Sequence, residues 1–143
     1  MRYSNMGKQK GMTLIELTIA MVAIVVFMAA AVIAGKTLYE WMKVQQIASQ
    51  VTDVQSAVNS WGASTGVYDT LDKDDLEHYV PEGFEWTNTY GGDVGVGSGD
   101  QSYEYKVTSG NIPEAAGVKL ADKFPDNAVY DKGTKVVTFT FGT

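Results

Sequence analysis

From Met12 to Gly35 the chain reads MTLIELTIAMVAIVVFMAAAVIAG, an apolar run whose one formal charge is Glu16. As a helix rising about 1.5 Å per residue, this run is long enough to cross a hydrocarbon core about 30 Å thick. Past Gly35 the pattern changes without a break. Val44, Ile47, Ala48, Val51, Val54, Val58 and Trp61 recur at spacings of three and four, as one helix face requires, while Lys43, Gln46, Gln50, Asp53 and Gln55 take the other face. No proline interrupts Met12 to Trp61, so the pattern predicts a single helix of roughly 75 Å that ends near Gly62, with Gly35 as a place to bend. It is apolar all round in its first half and one-sided in its second.

Residues 62–143 carry a different period. Tyr103, Tyr105 and Val107 alternate along one segment and Val137, Phe139 and Phe141 along another, and both read as strands. Shorter extended pieces are expected at Phe84 to Trp86 and Val94 to Val96, with Gly91-Gly92, Gly97 to Gly99 and Lys132-Gly133 as turns. Two short helices also fit. Asp72 caps DKDDLEHYV with Asp75 three residues on, and Pro113 opens PEAAGVKLADKF, which stops before Pro125 and turns Ala116, Leu120 and Phe124 inward. The expected class is α+β, with the second half of the long helix packed against an antiparallel sheet. The expected organisation is residues 1–11, 12–61 (12–35 in the membrane) and 62–143.

Charge sharpens this picture. Arg2, Lys8 and Lys10 crowd the first ten residues without an acid, and losing them with residues 1–11 takes the net charge from −6 to −9, three cations fewer. A product that acidic repels phosphate backbones, so no nucleic-acid role is expected. The leading basic cluster keeps the amino terminus in the cytoplasm and sends residues 62–143 outward. Cysteine is absent, which excludes a disulfide framework and a thiolate nucleophile.

No cofactor or metal is expected. Asp69, Asp72, Asp74, Asp75 and Glu77 lack the spacing of an EF-hand loop and read as a solvated, capped helix start. The run GGDVGVGSGD from Gly91 to Asp100 lacks the Lys-Ser/Thr and the following helix of a phosphate loop, and reads as a hairpin or exposed loop. His78 is the sole histidine, and no nucleophile elbow accompanies it, so no enzymatic activity is expected.

Three readings of the apolar run compete: a secretory signal peptide cut after Ala29-Ala30-Ala31, a permanent single-pass anchor, and a segment freed by cleavage between Gly11 and Met12. Glu16 discriminates among them. A carboxylate in hydrocarbon costs about 2.5–3.5 kcal/mol even on lenient scales, and such groups mark function. A cut after Gly11 creates an α-amino group on Met12 four residues from Glu16, one helical turn away, on the same chain or on a neighbouring copy.

At Gly11-Met12-Thr13-Leu14-Ile15-Glu16-Leu17, preceded by Lys8 and Lys10, the chain resembles the processing motif of type IV prepilins. The resemblance implies cleavage after Gly11 by a membrane prepilin peptidase, methylation of the new terminus at Met12, and an assembly role for Glu16. It also implies a pilin-like fold, insertion in the bacterial inner membrane, handling by the pilus assembly machinery there, and a homo-oligomeric filament on the cell surface. The segments TNTYGGDVGV and SYEYKVTSGNIPEAAGVKLADKF are similar to heads of type IVb pilins, including those of thin conjugative pili, as is methionine at the position of Met12. Those heads carry a cysteine in the helix after the proline, bonded to another near the carboxy terminus. Here Gly117 stands in that place. A cysteine-free head is also similar to the pseudopilins of type II secretion systems, which form a short periplasmic piston. The remaining alternative is a secreted binding or enzymatic head.

Overall fold

The computed structural model describes residues 11–142, so the basic cluster at Arg2, Lys8 and Lys10, and most of the expected segment 1–11, lie outside the described residues. Two compact units are present, Met1–Leu38 and Tyr39–Thr143. One helix, α1 (Leu14–Thr65), contributes to both.

In the first unit α1 is the apolar run itself. Its helix has the length and composition to cross a membrane, and none of its most apolar 18-residue window is buried. Leu14, Ile15, Phe27 and Ile33 are all exposed. The Thr18 and Thr37 hydroxyls donate to the carbonyls of Leu14 and Ile33 one turn back, so these side chains carry no unmet polar group outward.

In the second unit the one-sided pattern is realised. Val44, Ile47, Ala48, Val51, Val54, Val58 and Trp61 are all buried, joined by Ala57. The helix runs four residues beyond Trp61. Gly62 does not end it but stays helical, and Tyr68 folds back over the last turn so that its ring occupies the space a side chain would need there. The stop is Gly66, in the left-handed region at φ 78°, whose N–H donates to the Gly62 carbonyl at 2.7 Å. Only a residue without Cβ takes that cap conformation without strain.

Four strands follow: β1 (Val94–Ser98), β2 (Glu104–Ser109), β3 (Ala128–Asp131) and β4 (Val136–Gly142). They form one antiparallel sheet in the order β1-β2-β4-β3, with Val107 opposite Phe139 and Tyr105 opposite Phe141. Val94, Tyr105, Val107, Val137, Phe139 and Phe141 point into the core, and threonines 108, 138 and 140 alternate outward. Two expectations fail here. Tyr103 precedes β2 and is exposed, and Phe84 to Trp86 form no strand. Phe84 and Trp86 instead meet edge to face at 5.0 Å, anchoring a loop whose one ladder contact is the Thr87–Asp93 bridge. β1 runs through the glycine-rich segment, and β3 arises where no alternation announced a strand.

The short helices also form. Asp72 and Asp75 make a reciprocal capping box, but on a single 3-10 turn (Lys73–Leu76) rather than a helix through Val80. The second helix, α2 (Glu114–Lys123), follows Pro113 and buries Ala116, Gly117 and Leu120. Tyr130 of β3 lies directly across Gly117, where an added Cβ would stand 2.3 Å from the ring, and its hydroxyl donates to the Ile112 carbonyl at 3.0 Å. Ring packing and one hydrogen bond thus hold α2 to the sheet at Gly117. Gly117→Ala forces ring and helix apart and is expected to cost about 1–3 kcal/mol. Urea unfolding of the detergent-solubilised protein, followed by tryptophan emission, measures it, and in a Tyr130→Ala background the same substitution should add little.

Tyr105 is buried among Tyr68 at 5.1 Å and Phe141 at 5.5 Å. Burial first, then the neighbouring Tyr68, pushes its phenol up from 10.0 to about 12, against a hydrogen bond from Gln55 that works the other way. The folded state therefore keeps a proton that the unfolded chain gives up, so this contribution is intact below pH 10 and is lost as pH rises through about 12. Tyr105→Phe should flatten that part of the alkaline stability loss, read as urea midpoints across that range.

Candidate assembly site

Gly11, Met12 and Glu16 fall together at the start of α1. Thr13 is the N-cap: its backbone N–H donates to Glu16 Oε2 at 2.9 Å, its hydroxyl donates to the same oxygen at 3.1 Å, and the Glu16 N–H donates back to Thr13 Oγ1 at 3.3 Å. This is a capping box, which meets two of the orphan N–H groups at the helix start and sets the acid beside the positive end of the helix dipole. The signal T-x-x-E of such a cap stands in the sequence as Thr13 to Glu16. Both bonds to Glu16 fall on Oε2, and among the described residues Oε1 accepts none.

A shallow recess lined by Gly11, Met12, Thr13, Glu16 and Ala20 surrounds this carboxylate. Among the described residues, a Cβ added at Gly11 would meet nothing within 4 Å.

A second arrangement lies in the Tyr39–Thr143 unit and was not foreseen. The loop from Phe84 to Gly92 is tied to α1 at two points. Gln50 Nε2 donates to the carbonyls of Glu85 and Thr87 at 2.7 and 3.0 Å, and Tyr90 OH donates to Glu40 Oε2 at 2.6 Å. Burial and then the Glu40 carboxylate raise the Tyr90 phenol well above its ordinary range, so it remains a donor. Lys43 Nζ sits 4.7 Å from the Tyr39 ring centre and 4.6 Å from that of Tyr90.

Asn88 organises this loop. It is buried, and its Nδ2 donates to Ser109 Oγ at 2.8 Å and to the Gly110 carbonyl at 2.7 Å, while its Oδ1 accepts from the N–H groups of Tyr90 and Gly92. All its hydrogen-bonding capacity is used. Asn111, itself left-handed at φ 55°, adds a bond from Nδ2 to the Tyr90 carbonyl at 2.7 Å. The sequence signal was the Asn in TNTYGG, two residues before Tyr90, which is the spacing of an Asx turn.

His78 is exposed, and among the described residues no group of three or more His, Cys, Asp or Glu is placed to hold a metal ion.

An apolar helix that becomes amphipathic and packs into a four-stranded antiparallel head is a pilin-like α+β arrangement. Residues 6–32 match the family described as the prokaryotic N-terminal methylation motif. The chain therefore carries this motif at its amino terminus, and motif and fold together support a type IV pilin-like protein, in the wide sense that includes pseudopilins. No curated protein and no solved structure matches the chain.

Asn88→Ala leaves the Ser109 hydroxyl and Gly110 carbonyl short of a donor and frees the loop, at an expected cost of about 1–3 kcal/mol. Hydrogen exchange should show faster exchange at Tyr90 and Gly92, with β4 protected as before.

Proposed function

We propose that this protein is the structural subunit of a type IV pilus. It is inserted in the inner membrane, cut between Gly11 and Met12 by a prepilin peptidase, methylated on Met12, and drawn by inner-membrane machinery into a surface filament whose interior is the helix from Met12 onward. The observation that carries this reading is the wholly exposed apolar half of α1 directly behind the Gly11–Glu16 segment. Fifteen large apolar side chains between Met12 and Leu38 are exposed, and at about 1.5–3 kcal/mol each for burial, leaving them in water costs tens of kcal/mol. Lipid covers them before assembly and other copies of the same helix cover them afterwards.

Glu16 has a specific task in the transfer. Its Oε2 caps its own helix, and Oε1 accepts the new Met12 amine of the same or a neighbouring subunit, so the carboxylate enters the filament interior already neutralised. Glu16→Ala should leave cleavage after Gly11 intact and reduce sheared filament several-fold. Filaments of normal yield and length from that variant would contradict the docking role.

The cysteine-free head favours one second reading, a pseudopilin of a type II secretion system. The same motif, helix and peptidase would then serve a short periplasmic piston. Electron microscopy of cells at native expression separates the two: long surface filaments containing this chain identify the pilus, and secretion defects without filaments identify the piston.

A further inference from the structure

Resting on the filament reading, we infer that Lys43 and the notch beside it form a docking point for the acidic segment Asp69–Glu77 of a second copy of this chain. The notch is lined by Tyr39, Met42, Lys43, Gln46 and Thr89. An ammonium group, a carboxamide and a hydroxyl converge there as donors, and Glu40, three residues before Lys43 on α1, accepts from Tyr90 OH. Lys43 is held between two tyrosine rings, one on α1 and one on a loop fastened by Asn88 and Gln50, so its ammonium is presented in a fixed place. The two ion pairs among the described residues are Lys106 with Asp100 and Lys132 with Glu114, and Lys43 belongs to neither. A preset cation among donors, without a carboxylate of its own, suits an incoming carboxylate.

Charge selects the occupant. The chain after Gly11 carries a net −9, eight cations against seventeen acids, so copies packed side by side repel unless their few cations meet acids of their neighbours. Asp69, Asp74 and Glu77 are exposed, and no hydrogen bond or ion pair among the described residues engages their side chains. Asp72 and Asp75 are consumed by the capping box, which fixes the turn that presents the others. A lipid phosphate would satisfy Lys43 as well, but it leaves the acidic segment unanswered, whereas a second copy satisfies both at every repeat.

The test uses the full chain expressed with its assembly machinery. Lys43→Glu should lower sheared filament by about tenfold, as expected for a like-charge contact, and Asp74→Lys with Glu77→Lys in the same chain should restore most of it. Lys43→Gln should give an intermediate loss. Because the chain has no cysteine, Gln46→Cys with Asp74→Cys provides an unambiguous cross-link: a short bismaleimide should give a ladder of multimers from filaments, absent from either single variant. Normal filaments from Lys43→Glu together with no ladder overturn the inference. A loss that the reversed acids do not rescue also overturns it, and assigns Lys43 to lipid or to its own head. If the unmodified chain is cut at Met12 and never forms filaments, the filament reading itself fails, and this inference with it.

Discussion

The exposed apolar half of α1 is the constraint on which everything else depends. From Met12 to Leu38 the helix buries none of its large side chains in its own fold, and a surface of that size does not persist in water. On the proposed reading, two settings cover it: a bilayer, and then a bundle of its own copies. Between them stands Glu16, a group that is costly in either setting unless it is partnered. The capping box with Thr13 supplies one partner from the start, and a cut after Gly11 would supply a cation that the intact chain lacks. Charge, cleavage and assembly would then be coupled through one carboxylate.

The Tyr39–Thr143 unit solves a different problem, which is to stay folded without a covalent staple. Its core is continuous from Val44 through Trp61 to the inward faces of β2 and β4. At two places polar and aromatic contacts tie the less regular segments down. Tyr130 clamps α2 across Gly117, and Asn88 spends every donor and acceptor it has on the loop that carries Tyr90. Such contacts are available to a chain of any redox compartment.

Long periodic stretches were the legible part of this fold. The helix, β2 with β4 and the Pro113 helix follow from spacing alone, because burial on one face imposes a period on the residues. What escaped was decided by contacts between distant residues. Gly62 reads as a stop but remains helical under Tyr68, and the true cap is Gly66. Phe84 and Trp86 alternate like a strand yet pack on each other, while the four residues of β3 alternate too briefly to announce themselves and are held by β4 and α2. Of the candidate assembly site, Gly11, Met12 and Glu16 stand in the sequence as a local motif, and so does the T-x-x-E spacing of Thr13. The Lys43–Tyr90 pairing joins residues 47 positions apart through a loop that Asn88 folds, and no local pattern encodes that.

The intact mass and amino-terminal peptide of the mature protein, taken from a sheared surface fraction of cells making it, test the central claim most directly. A subunit processed as proposed begins at Met12 and carries one added methyl group. A chain beginning at Val32, or one still carrying residues 1–11 in an extracellular fraction, would contradict it.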